Sequence, residues 1–154
     1  MKKDEPNFDH TDIRILSLLM HDAKLSYSEI SKKIATSIAT VHQRIKKLEE
    51  QGIIKKTIAV IDYEMLGYDI TAFLGIYLSK SSMYDKVAEE LKKIPEVISL
   101  NYTTGNYSMF AKIICKDTQH LREVLHDKIQ KIGEISRTET LISLENSFER
   151  SIQL

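Results

Sequence analysis

The sequence predicts an α+β fold in two parts, a helical head followed by a small body of alternating strands and helices. Three observations predict it. Apolar residues recur at helical spacing through the first third of the chain, with a capping residue ahead of each helix. Beyond Gly67 the pattern changes to runs rich in β-branched and aromatic residues, interrupted by two helical segments, in the order βαββαβ. Charge divides the same way: residues 24–56 carry eight Lys or Arg against three Asp or Glu, and residues 57–154 carry 11 against 14, although the whole-chain totals of 22 and 22 cancel. A basic head on a mildly acidic body implies a polyanionic partner for the head alone.

In the head, "FDHTDIRILSLLMHDAK" places Ile13, Leu16, Leu19 and Met20 at helical spacing behind Asp9, an N-cap. "SYSEISKKI" opens with Ser26 and has Glu29 three residues on, a capping box that starts a short second helix over 27–34. "ATS" is then a tight connection, Ser37 caps the third helix, and Gly52 stops it. Two helices across so short a turn make a helix-turn-helix unit. On the third helix Ile38, Val41, Ile45 and Leu48 share one face, which must pack inward, so Thr36, Ala39, Thr40, Gln43 and Lys47 face outward with His42, Arg44 and Lys46 on the flanks. Short residues let the backbone approach base edges, Gln43 can pair bidentately with adenine, and the cations can hold phosphates. The cap residues Ser26 and Ser37, together with Lys55 and Lys56 at the start of "IIKKTIAVID", complete the expected DNA-binding set. That last segment reads as a wing and linking strand, so the head is a winged helix-turn-helix. One head covers few base pairs, so the body is expected to dimerise.

In the body, "YDITAFLGIYLS" is a strand, "MYDKVAEELKKI" a helix with Met83, Val87, Leu91 and Ile94 inward, and "EVISLNYTT" and "YSMFAKIIC" a hairpin turning at Gly105 and Asn106. "DTQHLREVLHDKIQKI" is a second helix capped by Asp117 with Leu121, Leu125 and Ile129 buried, and "EISRTETLISLE" a last strand with Ile135, Leu141 and Leu144. This order is the ferredoxin-like split unit. The expected divisions are a flexible arm at 1–8, the DNA-binding domain at 9–56, a linking strand and hinge at 57–66, and the ferredoxin-like domain at 67–154.

The remaining features exclude more than they assign. The longest apolar run, "ITAFLGIYL", falls well short of the roughly 20 residues of a membrane helix, no leader pattern opens the chain, and Cys115 stands alone, so a cytoplasmic protein without membrane association is expected. His120 and His126 lie six apart on a helix and diverge, Glu89 and Glu90 are adjacent, and no phosphate-binding glycine loop or catalytic triad occurs. Neither an enzyme nor a bound metal or cofactor is expected.

The ordered set "DAKLSYSEISKKI", "VHQRIKKLEEQGII", "LGYD" and "TTGNYS" resembles the Lrp/AsnC family of feast-or-famine transcription regulators over nearly the whole chain. The family hairpin usually reads Gly, acidic residue, aromatic residue, Asp, whereas this chain has Gly105, Asn106, Tyr107 and Ser108. With "KIQKIGEISRTETLI", that departure is similar to the asparagine-responsive AsnC branch. The resemblance implies double-stranded DNA as partner, homodimers assembling toward an octamer, and a small amino acid, asparagine favoured, bound where dimers meet. It implies Tyr102, Thr104, Gly105, Asn106 and Ser108 as effector residues, with Gln130, Thr138 and Thr140 completing the pocket. The chemistry agrees, because a glycine turn bares backbone N–H and C=O groups that a free amino acid needs. Two alternatives share the scaffold: an architectural protein that wraps DNA with little sequence choice, and an enzyme of the siroheme decarboxylase type.

Overall fold

The computed structural model describes residues 7–154, so most of the expected N-terminal arm, 1–8, lies outside the described residues. Contacts divide the chain into two compact units, one of the head up to Val60 together with Phe148–Leu154, the other Ile61–Ser147. The sequence reading groups the C-terminal residues with the body, whereas in the structure Ser151–Leu154 line a groove with Ser17, Leu18, Met20 and His21 of the first helix.

The head consists of α1 (His10–His21), α2 (Tyr27–Ile34) and α3 (Ile38–Glu50). Each begins on a side-chain cap: Asp9 for α1, Ser26 with Glu29 for α2, Ser37 for α3. The turn between α2 and α3 is tight enough to force Ala35 into the left-handed region at φ 55°, a conformation that costs a residue with a Cβ about 1 kcal/mol. α3 ends in the expected way, with Gly52 at φ 70° and the N–H groups of Gly52 and Ile53 donating to the carbonyls of Glu49 and Leu48. Ile15, Ile30, Ile34, Val41 and Ile45 form the core, with Leu18, Leu19, Leu25 and Ile54 packed against it, and Leu48 is fully buried.

Two expectations for this core are corrected. On α1 the inward face runs through Asp12, Ile15 and Leu18 rather than Ile13, Leu16 and Met20, which is 47% exposed. The cause is a buried aspartate, which apolar periodicity counts as surface. Ile38 is 53% exposed at the first turn of α3, ahead of the point where that helix reaches its neighbours. Among the described residues no strand pairs with 53–62, so the wing and linking strand have no ladder here, and Ile58, Val60 and Ile61 are exposed.

The body is a four-stranded antiparallel sheet in the order β2-β3-β1-β4, built from β1 (Ile70–Leu78), β2 (Val97–Tyr102), β3 (Met109–Cys115) and β4 (Ile135–Ile142). Helices α4 (Tyr84–Lys92) and α5 (Thr118–Glu123) complete the βαββαβ order. Ala72, Leu74 and Ile76 of β1 alternate inward with Met109, Ala111 and Ile113 of β3, and Val87, Leu91, Leu121, Val124 and Ile129 cover them from the helices. The strand alternation puts Phe73, Gly75, Tyr77, Phe110, Arg137, Glu139 and Leu141 on the opposite, open face.

α5 continues as a π-helical stretch over Val124–Ile129. The wider turn rotates the helix, so Val124 and Ile129, five apart, are fully buried while Leu125 is only partly so, and the expected Leu121, Leu125, Ile129 stripe is corrected at its middle member. Leu144 lies beyond β4 and is fully exposed, and Leu141 is on the open face. The π-helical register makes a prediction: in urea melts, Val124→Asn should destabilise the body by at least 2 kcal/mol more than Leu125→Asn, since only the first amide enters a dry core; equal losses would restore the regular α-helical register.

Candidate nucleic-acid interface and effector hairpin

Burying Val41, Ile45 and Leu48 leaves the other side of α3 to solvent. Ser37, Ala39, His42, Gln43 and Lys46 are exposed there, with Thr36, Thr40 and Lys47 partly so. The expected DNA-binding residues of α3 and of the turn before it thus lie outside the core, but their polar atoms are not equally available. Ser26 Oγ donates to Glu29 Oε2 at 2.6 Å and accepts from the Glu29 N–H, so its hydroxyl serves the α2 cap. Ser37 Oγ accepts from the Thr40 N–H at 3.0 Å and bonds the Thr40 hydroxyl at 2.8 Å. The His42 ring lies 5.5 Å from that of Tyr27. Lys55 and Lys56 are exposed just past the head core.

Arg44 behaves differently from its neighbours. Its Nη1 donates to both carboxylate oxygens of Asp9, at 2.8 Å each, and to Asp12 Oδ1 at 2.9 Å. Asp9 and Asp12 are also the two halves of the α1 capping box, Asp9 Oδ1 accepting from the Asp12 N–H and Asp12 Oδ2 from the Asp9 N–H. One guanidinium nitrogen thus bolts α3 to the start of α1, and Asp12, 1% exposed, has a counter-charge. The same contact holds the Asp9 carboxyl below its ordinary 3.8, through the Arg44 hydrogen bond first and backbone N–H donors after it, and raises the Arg44 guanidinium.

At the other candidate site, the turn between β2 and β3 spans 103–108. Gly105 sits at φ 111°, a conformation that a side chain resists. Thr103 N–H donates to the Ser108 carbonyl at 3.2 Å and Thr103 Oγ1 to the Tyr107 carbonyl at 2.7 Å, closing the loop. Ser108 anchors it to β1: its N–H donates to the Ile76 carbonyl at 2.9 Å and its Oγ accepts from the Leu78 N–H at 3.4 Å. Thr104, Gly105 and Asn106 are exposed at the tip. Tyr102 packs against Tyr84 of α4 with ring centroids 4.7 Å apart. Thr138 lies opposite Ile76 on β4, across β1 from the turn, whereas Thr140 pairs with Leu74, farther along the strand. Gln130 is exposed where the second helical segment ends, ahead of Ile135, which pairs with Leu78. The turn and Thr138 thus lie at the Ile76–Leu78 end of β1, on its two sides, with Thr140 set back along β4.

The sequence predicts a third strand from Tyr107; the strand begins at Met109, and Tyr107 instead folds over the open sheet face. Its ring lies against Gly75, where a Cβ would come within 2.4 Å of ring carbons, and packs on Tyr77 and Phe110 at centroid distances of 5.4 and 5.9 Å. Its hydroxyl donates to Glu139 Oε2 at 2.8 Å, while Tyr77 and Arg137 donate to Oε1. Sequence reasoning missed Tyr107, Glu139 and Gly75. A glycine inside the apolar run "FLGIY" was the available signal, since such a residue marks close approach of another group.

Comparison with known proteins settles what kind of molecule carries these two sites. Residues 71–152 match the Lrp/AsnC ligand binding domain and residues 8–55 the winged helix-turn-helix DNA-binding family. The chain belongs to the Lrp/AsnC family. It is 44% identical over 147 residues to Regulatory protein AsnC of Haemophilus influenzae, covering 96% of this chain and 98% of that one. It is 39% identical over 145 residues to Regulatory protein AsnC of Escherichia coli K12, covering 94% and 95%, and the structure of E. coli AsnC superposes with a TM-score of 0.90 at 38% identity, over 96% and 99% of the two chains. Like its Lrp/AsnC relatives this chain is a DNA-binding transcription regulator with a ligand-binding domain, and not an enzyme. Among the described residues no helix is long and apolar enough to cross a membrane, and no cluster of His, Cys, Asp and Glu is arranged to hold a metal.

The Arg44 clamp makes a prediction. Arg44→Ala strands the buried Asp12 carboxylate and should cost the head about 1–3 kcal/mol at neutral pH. Because Asp9 is more acidic folded than unfolded, its pairing stabilises the head above its ordinary 3.8 and is lost as pH falls below that value. The gap between wild type and Arg44→Ala in thermal melts should therefore narrow between pH 7 and pH 3; a constant gap would contradict the clamp.

Proposed function

We propose that this chain is a sequence-specific regulator whose α3 enters the DNA major groove, with asparagine, bound between dimers, adjusting DNA affinity in the cytoplasm. The observation that carries the proposal is the side of α3 bearing Ala39, Gln43 and Lys46, exposed on a helix whose other side is locked in the core. Ala39 and Thr40 are small enough for close approach, Gln43 offers a donor and an acceptor to an adenine edge, and Lys46, Lys47, Lys55 and Lys56 supply positive charge to phosphates. The hydroxyls of Ser26 and Ser37 are occupied by caps, so these two residues serve phosphates chiefly through helix N-terminal N–H groups. Arg44 is reassigned from phosphate contact to orientation of α3.

Two features support a dimer. Among the described residues 53–62 find no partner strand although Ile58 and Val60 expose apolar surface, as an edge awaiting a second copy would. The open sheet face carries the ring series Phe73, Phe110, Tyr107 and Tyr77, more aromatic surface than a solvated face usually bears. Four such dimers would form the octamer implied by the resemblance. Asparagine is favoured by the replacement of acidic hairpin residues with Asn106 and Ser108 and by similarity to AsnC proteins. The exposed tip at Thr104, Gly105 and Asn106 would be completed by another dimer. Linkage then requires operator DNA to change asparagine affinity by the factor with which asparagine changes DNA affinity.

Selection of bound duplexes from random sequence, with and without asparagine, tests both halves. A discrete motif whose enrichment shifts with asparagine is expected; continuous, motif-free protection would favour DNA wrapping instead. Gln43→Ala should change base preference at one position by roughly 1–3 kcal/mol, whereas Lys46→Ala and Lys47→Ala should weaken all sequences alike and each flatten the salt slope by about 1.

A further inference from the structure

We infer that Glu139 is a positioning residue for the effector hairpin, holding it through Tyr107 and so setting amino-acid affinity without touching the amino acid. The inference rests on the reading of the 103–108 turn as the effector site. Tyr107 is the residue of that turn whose side chain leaves the loop altogether: Thr104, Gly105 and Asn106 are exposed at the tip and Ser108 bonds β1, while the Tyr107 ring reaches across β1 to Glu139 on β4. Three strands are therefore joined by one side chain. The bridge exists because position 75 lacks a Cβ, which would otherwise collide with the ring at 2.4 Å.

Glu139 is itself fixed, its Oε1 accepting from Tyr77 at 3.3 Å and from Arg137, leaving Oε2 aimed at the Tyr107 hydroxyl. The bond pushes the Tyr107 phenol above its ordinary 10.0, so it stays a donor throughout the physiological range. The Tyr107 carbonyl, carried on the residue so anchored, accepts the Thr103 hydroxyl that closes the loop. Fixing the ring fixes the backbone from which Gly105 and Asn106 present their N–H and C=O groups. Without the bond the ring keeps only its apolar packing, which does not fix its direction, and the binding conformation must be ordered in part by the ligand at the expense of affinity.

The test compares hydroxyl deletions on the two sides of the same carboxylate in the full chain. Tyr107→Phe keeps the ring on Gly75 and removes only the bond; Tyr77→Phe removes the other tyrosine hydroxyl on Glu139 but lies outside the hairpin. By calorimetry with asparagine, Tyr107→Phe should bind roughly fivefold to tenfold more weakly, the scale of one charge-assisted hydrogen bond at a half-exposed site. Hydrogen exchange at the Thr103 and Ser108 amides should be faster, and Tyr77→Phe should stay within about twofold of wild type, well below that scale. Glu139→Ala should match or exceed Tyr107→Phe, Glu139→Gln, which keeps an acceptor, should recover most of the loss, and the Tyr107→Phe, Glu139→Ala double variant should be no worse than Glu139→Ala, since coupled residues are not additive. Equal weakening by Tyr77→Phe, or wild-type binding with unchanged exchange in Tyr107→Phe, overturns the inference while the effector reading stands. If wild type binds no amino acid, the effector reading and its affinity consequence both fall, and the exchange rates alone decide whether Glu139 orders the turn.

Discussion

The burial of Val41 and Ile45 against α1 and α2, with Leu48 buried on the same side of α3, is the constraint from which the rest of the head follows. A helix of 13 residues committed to a core on one side has no freedom to choose what it shows on the other. Ala39, Gln43 and Lys46 face outward because the residues between them face inward. The Arg44 clamp adds a second point of attachment away from the apolar seam, and two separated attachments resist rotation of a helix about its axis better than one. It also places two carboxylates near the surface proposed to meet DNA, where the single guanidinium offsets one of their two charges.

The body divides its two sheet faces by chemistry. One is closed by α4 and the α5 segment over an aliphatic core, and the other carries aromatic rings and a polar cluster centred on Glu139. The turn assigned to the effector belongs to both systems, since Ser108 attaches it to the backbone of β1 and Tyr107 to the open face. An amino acid at this turn would thus report to the face on which a second subunit is proposed to lie, which gives ligand binding and assembly a shared mechanical element.

Much of this was legible in the sequence, and the misses share a cause. Caps, the glycine stop at Gly52 and the βαββαβ order were readable because they depend on local chemistry or on uninterrupted periodicity. The α1 face was misread because Asp12 is buried by its partners, and partners distant in sequence leave no trace in periodicity. The Val124 register was missed because a π-helical stretch changes the period itself. Tip residues of the hairpin announced themselves as small polar groups around a glycine, whereas Tyr107 and Glu139, 32 positions apart, looked like an ordinary strand aromatic and an ordinary surface acid. Composition identifies groups that contact a ligand more readily than groups that hold those contacts in place.

Site-directed photocrosslinking addresses the outward face of α3 most directly. A single thiol introduced by Ala39→Cys can carry the probe without competition, since Cys115 is buried and its thiol is pushed up to about 11, mainly by that burial. With a selected duplex, the probe at position 39 should crosslink to bases within the bound site, and the same probe placed by Glu123→Cys, exposed on α5 of the body, should give none. Equal crosslinking from both positions, or none from position 39 while the duplex stays bound, would contradict the orientation of α3 on which this account depends.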